Sequence, residues 1–261
     1  NTKFYEVSKV IARKEVERLF SDLIRRTKEF RPFGELIFPY HKMGAVDSLN
    51  LFDFDELIIF SFYWLNRNRY KRVADIGSNI GLHSIILEKC GFKVRSYEPD
   101  PQHFSILQRN LKLNQCSNIE VFNTAISVKS GKAEFIRILG NTTGSHIAGS
   151  KVSPAREIEK FMVKTEPIRP IISWADLLKI DVEGFENLVL KGATKTLAKV
   201  KYLYIEVTIE NNKNYTLSSI MSQLIGKNYN FQLVGFRNYA DVPIGLAPVM
   251  DLLLTNILNL K

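Results

Sequence analysis

A glycine-bearing loop between a short apolar strand and a helical segment has the residue types and spacing of a ligand site. It reads Asp75-Ile76-Gly77-Ser78-Asn79-Ile80-Gly81. Gly77 permits a tight turn with close approach of the backbone to a ligand, and Gly81 permits close packing of helix against strand. The loop lacks the middle glycine of Gly-x-Gly-x-x-Gly, and the chain has no Gly-x-x-x-x-Gly-Lys-Ser/Thr segment. NAD, FAD and a P-loop ATPase are therefore disfavoured.

An acidic residue at the end of the next strand narrows the ligand to an adenosine compound. Glu98 stands about 20 residues after Gly77, where a carboxylate can bind both hydroxyls of a ribose. Asp75 can bind an ammonium group directly or through water, while the loop amides meet a carboxylate. S-adenosylmethionine combines these groups, and it is the cofactor that the loop and Glu98 together predict.

The turn after the third strand supplies the expected adenine contacts. Backbone amides or the Asn amide of Asn123-Thr124-Ala125 can bind the edge of the ring, and a plain turn is the alternative. Asp100 and Pro101 predict the cap and first position of the helix after Glu98. The predicted cofactor-binding residues are Asp75, Gly77, Ser78, Asn79, Gly81, Glu98, Pro99, Asn123, Ala125 and Asp181.

Carboxylates at the ends of two later strands are the candidates for catalysis. Asp181 and Glu183 end the fourth strand, and Glu206 ends the fifth. The carboxyl ends of parallel strands face the ligand crevice, where carboxylates can orient a hydroxyl, act as a base or hold a divalent ion. We assign them no metal. The alternatives are a favourable first-turn helix charge for Glu183 and a structural ion pair for Glu206. His146 is a further catalytic candidate.

The elements that must position these residues follow the alternation typical of βαβ units and a parallel sheet. Strands are predicted at residues 73–76, 94–97, 119–122, 177–180 and 202–207, with late paired strands at 231–234 and 250–254. Helices are predicted at residues 80–89, 101–113, 185–197 and 217–225. Residues 127–175 interrupt this rhythm, and we interpret them as an irregular insertion on the substrate side with one strand candidate at 133–138.

The first 69 residues are predicted to form a helical extension or lid, followed by the main domain at residues 70–261. Apolar residues recur with helical spacing over residues 5–30 beside a basic face, which favours a helix packed on its own domain over one lying on a membrane. Asp53 is predicted to cap a second helix, with Glu56 as its capping-box partner and Phe52 and Leu57 as a hydrophobic staple.

Composition bounds the partners only loosely. The 261 residues carry 36 Lys and Arg against 27 Asp and Glu, a net charge of +9 that suits nucleic acid or an anionic membrane surface as well as a solvated basic surface. Two isolated cysteines, Cys90 and Cys116, fit a reducing compartment, and no apolar run approaches a membrane span. We therefore predict a cytoplasmic protein. The first residue is not Met, and we expect a trimmed N-terminus.

Three stretches carry a resemblance to a known family: Val73-Ala-Asp-Ile-Gly-Ser-Asn-Ile-Gly-Leu-His-Ser84, Ser96-Tyr-Glu-Pro-Asp-Pro101 and Leu177-Leu-Lys-Ile-Asp-Val-Glu-Gly184, the last followed by Glu186, Leu190-Lys191-Gly192-Ala193 and Ile205-Glu206. With these residues the chain resembles the FkbM-like methyltransferases, Rossmann-fold enzymes that O-methylate sugars and related hydroxyls. The likeness covers residues 71–207. It departs from the family at Thr165-Glu166-Pro167, where members often carry a Leu-Asp pair.

The resemblance implies a fold and a reaction. The expected fold is α/β and Rossmann-like, a doubly wound, mostly parallel seven-stranded sheet with an N-terminal helical extension. The expected reaction is methyl transfer from S-adenosylmethionine to a hydroxyl of a sugar, glycan or related small molecule, with the Asp181–Gly184 segment beside the reaction centre. Two alternatives remain, a nucleic-acid methyltransferase and a non-catalytic binding or scaffold subunit. No Asn/Asp-Pro-Pro-Tyr segment or Pro-Cys pair supports the first.

Overall fold

The structure is a computed structural model that describes residues 3–22, 26–150, 157–193, 197–208, 220, 222, 224, 231–238 and 249–256. The α-helices are α1 (Lys3–Phe20), α2 (Phe54–Asn66), α3 (Leu82–Lys89), α4 (Pro101–Leu113), α5 (Arg169–Trp174) and α6 (Glu186–Ala193). The strands are β1 (Lys28–Glu29), β2 (Glu35–Leu36), β3 (Arg72–Ile76), β4 (Lys93–Tyr97), β5 (Ile119–Phe122), β6 (Ala125–Ser127), β7 (Gly131–Ile138), β8 (His146–Ile147), β9 (Ile158–Pro167), β10 (Leu177–Ile180), β11 (Tyr202–Thr208), β12 (Phe231–Asn238) and β13 (Val249–Asn256).

The larger sheet has the strand order β12-β13-β11-β10-β3-β4-β5. The five strands from β11 to β5 pair in parallel, while β13 runs antiparallel to both of its neighbours. The predicted pairing of the two late strands is therefore confirmed. Because the parallel strands share one direction, their carboxyl ends meet along one edge of the sheet, and ligands of such sheets bind at this edge.

Apolar side chains cover both faces of this sheet, as the near-continuous apolar strands predict. Within β10, Leu177 contacts one core cluster and Leu178 contacts the other. Helices α1 to α4 pack on the face that carries Leu177. Helices α5 and α6 and the second sheet pack on the face that carries Leu178. The fold is thus α/β and Rossmann-like, with the chain wound on both sides.

Residues 127–175, expected to be an irregular insertion with one strand candidate at 133–138, are more regular than that where the structure describes them, and the candidate lies within β7. They contribute to a four-stranded sheet with the order β6-β9-β7-β8, followed by helix α5. Strands β7 and β9 pair antiparallel from Gly131 opposite Thr165 to Ile138 opposite Ile158. This pairing joins segments separated by a long connection that contains turn signals, so no short-range pattern in the sequence announces it.

The N-terminal region shares a core with the parallel sheet. Helix α1 ends at Phe20 rather than running on toward residue 30, because Phe20 stacks on Phe52 and makes an edge contact with Phe30, which requires the chain to turn back. The rest of the region contributes the β1–β2 hairpin and α2. The first turns of α1 leave Phe4 and Ile11 exposed, whereas Val16 and Phe20 near its end are buried.

Three smaller expectations concern a late helix, the cysteines and membrane-spanning segments. The predicted helix at residues 217–225 lies largely outside the described residues. Both cysteines are free thiols, with Cys90 buried and Cys116 partly buried. Within the described part of the chain, no helix has the length and apolar character needed to cross a membrane.

Candidate functional site

A cavity of about 300 Å³ lies where the carboxyl ends of the parallel strands meet. The turns after β3, β4, β5 and β10 form its floor together with Glu206 of β11, and the second sheet and the N-terminal region form its walls. The size falls in the range of small-molecule sites. The predicted residues on its lining are Gly77, Asn79, Glu98, Pro99, Ala125, His146, Asp181, Glu183 and Glu206.

The two loop positions require glycine for different structural reasons. Gly77 adopts a φ of +82°, and a Cβ atom there would lie 1.7 Å from the backbone oxygen of Asp181, so the turn after β3 touches the turn after β10 directly. Gly81, with a φ of +91°, would place a Cβ atom 2.3 Å from Cδ1 of Leu107 on α4. It therefore allows packing between two helices rather than the predicted helix–strand contact, and it does not line the cavity.

Glu98 is a buried carboxylate held by the backbone. Its Oε2 accepts a hydrogen bond of 2.8 Å from the amide of Asn79, and its Oε1 accepts one of 2.9 Å from the amide of Asp100. Burial raises the pKa of Glu98 to about 8, although these amides act in the opposite direction. The Asn123 side chain donates to the backbone oxygens of Glu98 and Pro99, so it supports this turn without lining the cavity.

Asp75 is placed differently from the sequence expectation. Its side chain is fully buried and is not on the cavity lining. Its Oδ2 accepts a hydrogen bond of 2.6 Å from the hydroxyl of Ser84, and its Oδ1 lies 3.3 Å from the Lys179 ammonium. A ligand in the cavity has no direct access to a carboxylate engaged in this way, so the predicted ammonium contact needs another residue or an intervening water.

Lys179 connects Asp75 to the site. It is only 2% exposed, and its ammonium lies 3.3 Å from Asp181 Oδ2 and 3.4 Å from the backbone oxygen of Gly77. Burial alone lowers the pKa of a lysine, but Asp75 and Asp181 outweigh it and raise the pKa of Lys179 above its ordinary value. A charged Lys179 therefore compensates Asp75 and fixes one oxygen of Asp181 at the cavity.

The three predicted catalytic carboxylates converge. One oxygen from each of Asp181, Glu183 and Glu206 lies within 4.8 Å of the other two. Glu183 sits in the left-handed region with a φ of +53°, which aims this turn into the cavity lining. Carboxylates this close can share a proton or surround a cation, so they suit either a base or a cationic ligand.

Two histidines also line the cavity. His146 is buried in β8, where its Nδ1 is 3.1 Å from the Gly144 oxygen, and it lines the cavity. His103 also lines the cavity, with its Nε2 at 2.9 Å from Thr142 Oγ1. No sequence pattern pointed to His103. Its position, two residues after the confirmed helix cap Asp100-Pro101, is the signal that could have placed it near Glu98.

Glu56 is the functional candidate that sequence reasoning missed. It was interpreted as a capping-box residue, but Asp53 makes no side-chain capping hydrogen bond at α2. The Glu56 side chain instead lines the cavity, with its Oε2 at 2.9 Å from Nε2 of His83. No local pattern could show this, because His83 lies on another helix.

Two buried polar atoms of the glycine loop have no hydrogen-bond partner among the described residues. They are the Oγ of Ser78 and the Oδ1 of Asn79. Asn79 lines the cavity, whereas Ser78 does not. A buried acceptor without a partner is costly, and a ligand that donates a hydrogen bond to it offsets that cost.

The cavity thus combines a glycine turn, the buried Glu98 and three converging carboxylates at one edge of the parallel sheet. The sequence matches the family described as the Methyltransferase FkbM domain over residues 75–233, which is more than half of the chain. The chain belongs to this family of methyltransferases. The match leaves α1, α2 and therefore Glu56 outside it.

Individual relatives share only low sequence identity with this chain. The hexuronic acid methyltransferase AglP of Haloferax volcanii is 30% identical over 138 residues, covering 51% of this chain and 54% of that protein. The 2-O-methyltransferase NoeI of Sinorhizobium fredii is 25% identical, covering 51% of this chain and 62% of its own. The chain thus spans little more than half of each relative. Magnesium protoporphyrin IX methyltransferase from Synechocystis PCC 6803, solved with bound SAM, shares 10% identity over 76% of each chain at a TM-score of 0.46.

Proposed function

We propose that the protein is an S-adenosylmethionine-dependent O-methyltransferase that acts on a hydroxyl of a sugar, glycan or related small molecule. The observation that carries the proposal is the arrangement of one cavity along the sheet edge. Glu98 lies on its β4 side, and Asp181, Glu183 and Glu206 converge on its β10–β11 side. Cofactor and acceptor would then meet near the middle of this edge, at the Gly77 turn.

The residues on the Glu98 side fit the adenosine half of the cofactor. The Glu98 carboxylate can accept hydrogen bonds from ribose hydroxyls, and the unpartnered Asn79 Oδ1 can accept another. Ala125 and Ile126 line the adjoining wall beyond β5 and offer an apolar surface for the adenine ring. The cofactor, when bound, supplies a methyl group on a sulfonium centre.

The residues on the opposite side fit removal of a proton from the acceptor. A hydroxyl is a weak nucleophile while protonated, and a carboxylate within hydrogen-bond reach accepts its proton as the new oxygen–carbon bond forms. Asp181, Glu183 and Glu206 are the candidates in that order, and His146 is a fourth. Lys179 orients Asp181 through its 3.3 Å contact. The chain therefore aligns the acceptor and receives its proton.

The names of two relatives support transfer to an oxygen of a sugar-type acceptor. AglP is named a hexuronic acid methyltransferase, and NoeI is named a 2-O-methyltransferase. The nucleic-acid alternative has the net charge of +9 in its favour. Against it, the described lining contains five carboxylates and no Lys or Arg, which disfavours a phosphate near the reaction centre. The carboxylates are Glu56, Glu98, Asp181, Glu183 and Glu206.

Calorimetry followed by an acceptor screen tests the proposal. We expect the protein to bind S-adenosylmethionine and S-adenosylhomocysteine, and to transfer a methyl group to an oxygen of a neutral glycan, which mass spectrometry of the product would locate. Binding without transfer to glycans, lipids or nucleic acids would favour a non-catalytic subunit. Transfer to RNA or DNA, with steeply salt-dependent binding, would replace the proposed acceptor. Failure to bind either cofactor form at submillimolar concentration would reject the enzyme.

A further inference from the structure

Glu56 brings a buried carboxylate into the cavity from outside the matched family segment. It stands in the first turn of α2, and its side chain is 19% exposed. Its Oε2 lies 2.9 Å from Nε2 of His83, and Nδ1 of the same ring lies 3.1 Å from the Tyr63 hydroxyl. The chain Glu56–His83–Tyr63 joins α2 to the first turn of α3 and holds the carboxylate in one orientation.

The strand order places Glu56 on a definite side of the cavity. Along the edge, the turns after β10, β3, β4 and β5 follow one another, so Glu98 lies between the Gly77 turn and Ala125. His83 follows the Gly77 loop, and the charges that act on Glu56 most strongly are Lys179 and Asp181. Glu56 therefore lies toward the β3–β10 end, away from the adenine side.

A nucleoside bound through Glu98 with its base beyond β5 must direct its 5′ substituent toward that end. In S-adenosylmethionine this substituent carries the sulfonium and then the amino-acid tail, which ends in an ammonium and a carboxylate. Asp75 is engaged with Ser84 and Lys179 and does not line the cavity, so a direct contact with the ammonium requires another anion. Among the described residues, Glu56 is the carboxylate that lines this end from the N-terminal region.

The electrostatics of Glu56 suit a cationic ligand. Burial raises the pKa of Glu56 to about 8, so its ionised form is disfavoured in the free protein although Lys179 acts in the opposite direction. Burial lowers the pKa of His83 to about 3, so the ring stays neutral and brings no competing positive charge. An ammonium in contact with the carboxylate would replace the lost hydration and favour ionisation.

We propose that Glu56 binds the ammonium group of the amino-acid tail of S-adenosylmethionine, with His83 and Tyr63 positioning its carboxylate. This inference rests on the proposed function, because it requires that cofactor. It gives the N-terminal region a direct part in cofactor binding. It also replaces Asp75, the residue that the loop pattern suggested for this contact.

The test compares three ligands by calorimetry on the full chain. S-adenosylhomocysteine carries the whole tail, its deaminated analogue keeps the carboxylate without the ammonium, and 5′-methylthioadenosine lacks the amino-acid tail. We expect the unmodified protein to bind S-adenosylhomocysteine about ten- to hundredfold more tightly than the deaminated analogue, as a charge-assisted hydrogen bond provides. In Glu56→Gln this preference should disappear, while the affinities for the other two ligands stay within about twofold.

Asp55→Asn is the matched control, because Asp55 immediately precedes Glu56 on α2 but bonds to the Tyr5 hydroxyl and does not line the cavity. All three affinities should be unchanged in it. Equal binding of S-adenosylhomocysteine and its deaminated analogue by the unmodified protein would overturn the inference, even if Glu56→Gln failed to fold. A preference that persists in folded Glu56→Gln would do the same. Binding of none of the three ligands would instead reject the proposed function.

Discussion

The ammonium of Lys179 lies 3.3 Å from Oδ1 of Asp75, and both side chains are almost completely buried. The two residues occupy adjacent parallel strands in register, because Lys179 on β10 pairs with Asp75 on β3. Two motifs far apart in the sequence, the glycine loop and the Lys-Ile-Asp segment, are thus joined by one ion pair beneath the cavity. The pair holds the two turns that carry Gly77 and Asp181 in contact.

Removing the cation should destabilise the fold strongly. Lys179→Met leaves Asp75 as a buried charge without compensation, so we expect the free energy of unfolding at pH 7 to fall by about 3–5 kcal/mol. Urea unfolding measures it. Lys160→Met is the control, since Lys160 pairs with Glu134 at the surface and should cost about 0–1 kcal/mol. If the free energy of unfolding fell by similar amounts in both variants, the buried pair would stabilise the fold no more than a surface pair does.

The contact between the Gly77 turn and Asp181 can be separated from simple backbone strain. Gly77 and Gly91 adopt similar φ values of +82° and +89°, but a Cβ atom at Gly91 meets nothing within 4 Å. Gly91→Ala should therefore cost only about 1–2 kcal/mol for the left-handed backbone. Gly77→Ala should cost more, because the backbone of Asp181 must move. It should also weaken binding of S-adenosylmethionine. Equal unfolding energies and unchanged cofactor affinity would contradict the assigned contact.

The sequence predicted those parts of the protein that depend on neighbouring residues. The parallel strands, the helix cap at Asp100 and the convergence of Asp181 with Glu206 follow from local periodicity and from the rule that strand ends share an edge. The cap is confirmed by hydrogen bonds from the amides of Gln102 and His103. The roles assigned to the site residues remain predictions.

The features that the sequence missed all depend on partners far along the chain. The sheet formed by β7 and β9 requires a non-local pairing, and Glu56 fits a capping pattern that its contact with His83 overrides. Asp75 occupies the expected position, but Lys179 and Ser84 take up its carboxylate. Local patterns predict which helix, strand or turn a residue belongs to. Tertiary packing decides which neighbour it meets.

The catalytic base can be assigned by single substitutions in the carboxylate cluster. Asp181→Asn, Glu183→Gln, Glu206→Gln and His146→Asn should each fold, and the variant that lacks the base should lose about 10²- to 10⁴-fold in kcat. Cofactor affinity measured by calorimetry should stay nearly unchanged in Glu183→Gln and Glu206→Gln. If turnover in all four variants equalled that of the unmodified protein, the base would lie elsewhere.

Glu186 should make the folded protein less stable as the pH rises. Its carboxyl is almost fully buried at the start of α6, and burial raises its pKa from 4.5 to about 8, although the amide of Gly184 donates a 2.8 Å hydrogen bond to it. Between these two values the folded state holds a proton that the unfolded state has released. The stabilisation from this group is therefore fully present below about pH 4.5, and it is lost as the pH rises through about 8.

Glu186→Gln removes this titration while keeping an acceptor for the Gly184 amide. The difference between the free energy of unfolding of this variant and that of the unmodified protein should therefore shift in favour of the variant as the pH rises from 4.5 to 8. The shift should reach up to about 1.4 kcal/mol per pH unit. Glu56 and Glu98 have pKa values raised in the same direction, so some decline with pH persists in the variant. Urea unfolding at several pH values measures the difference, and the pH 4.5 point serves as the internal reference. A difference that stays constant across this range would show that the folded protein does not hold the Glu186 proton.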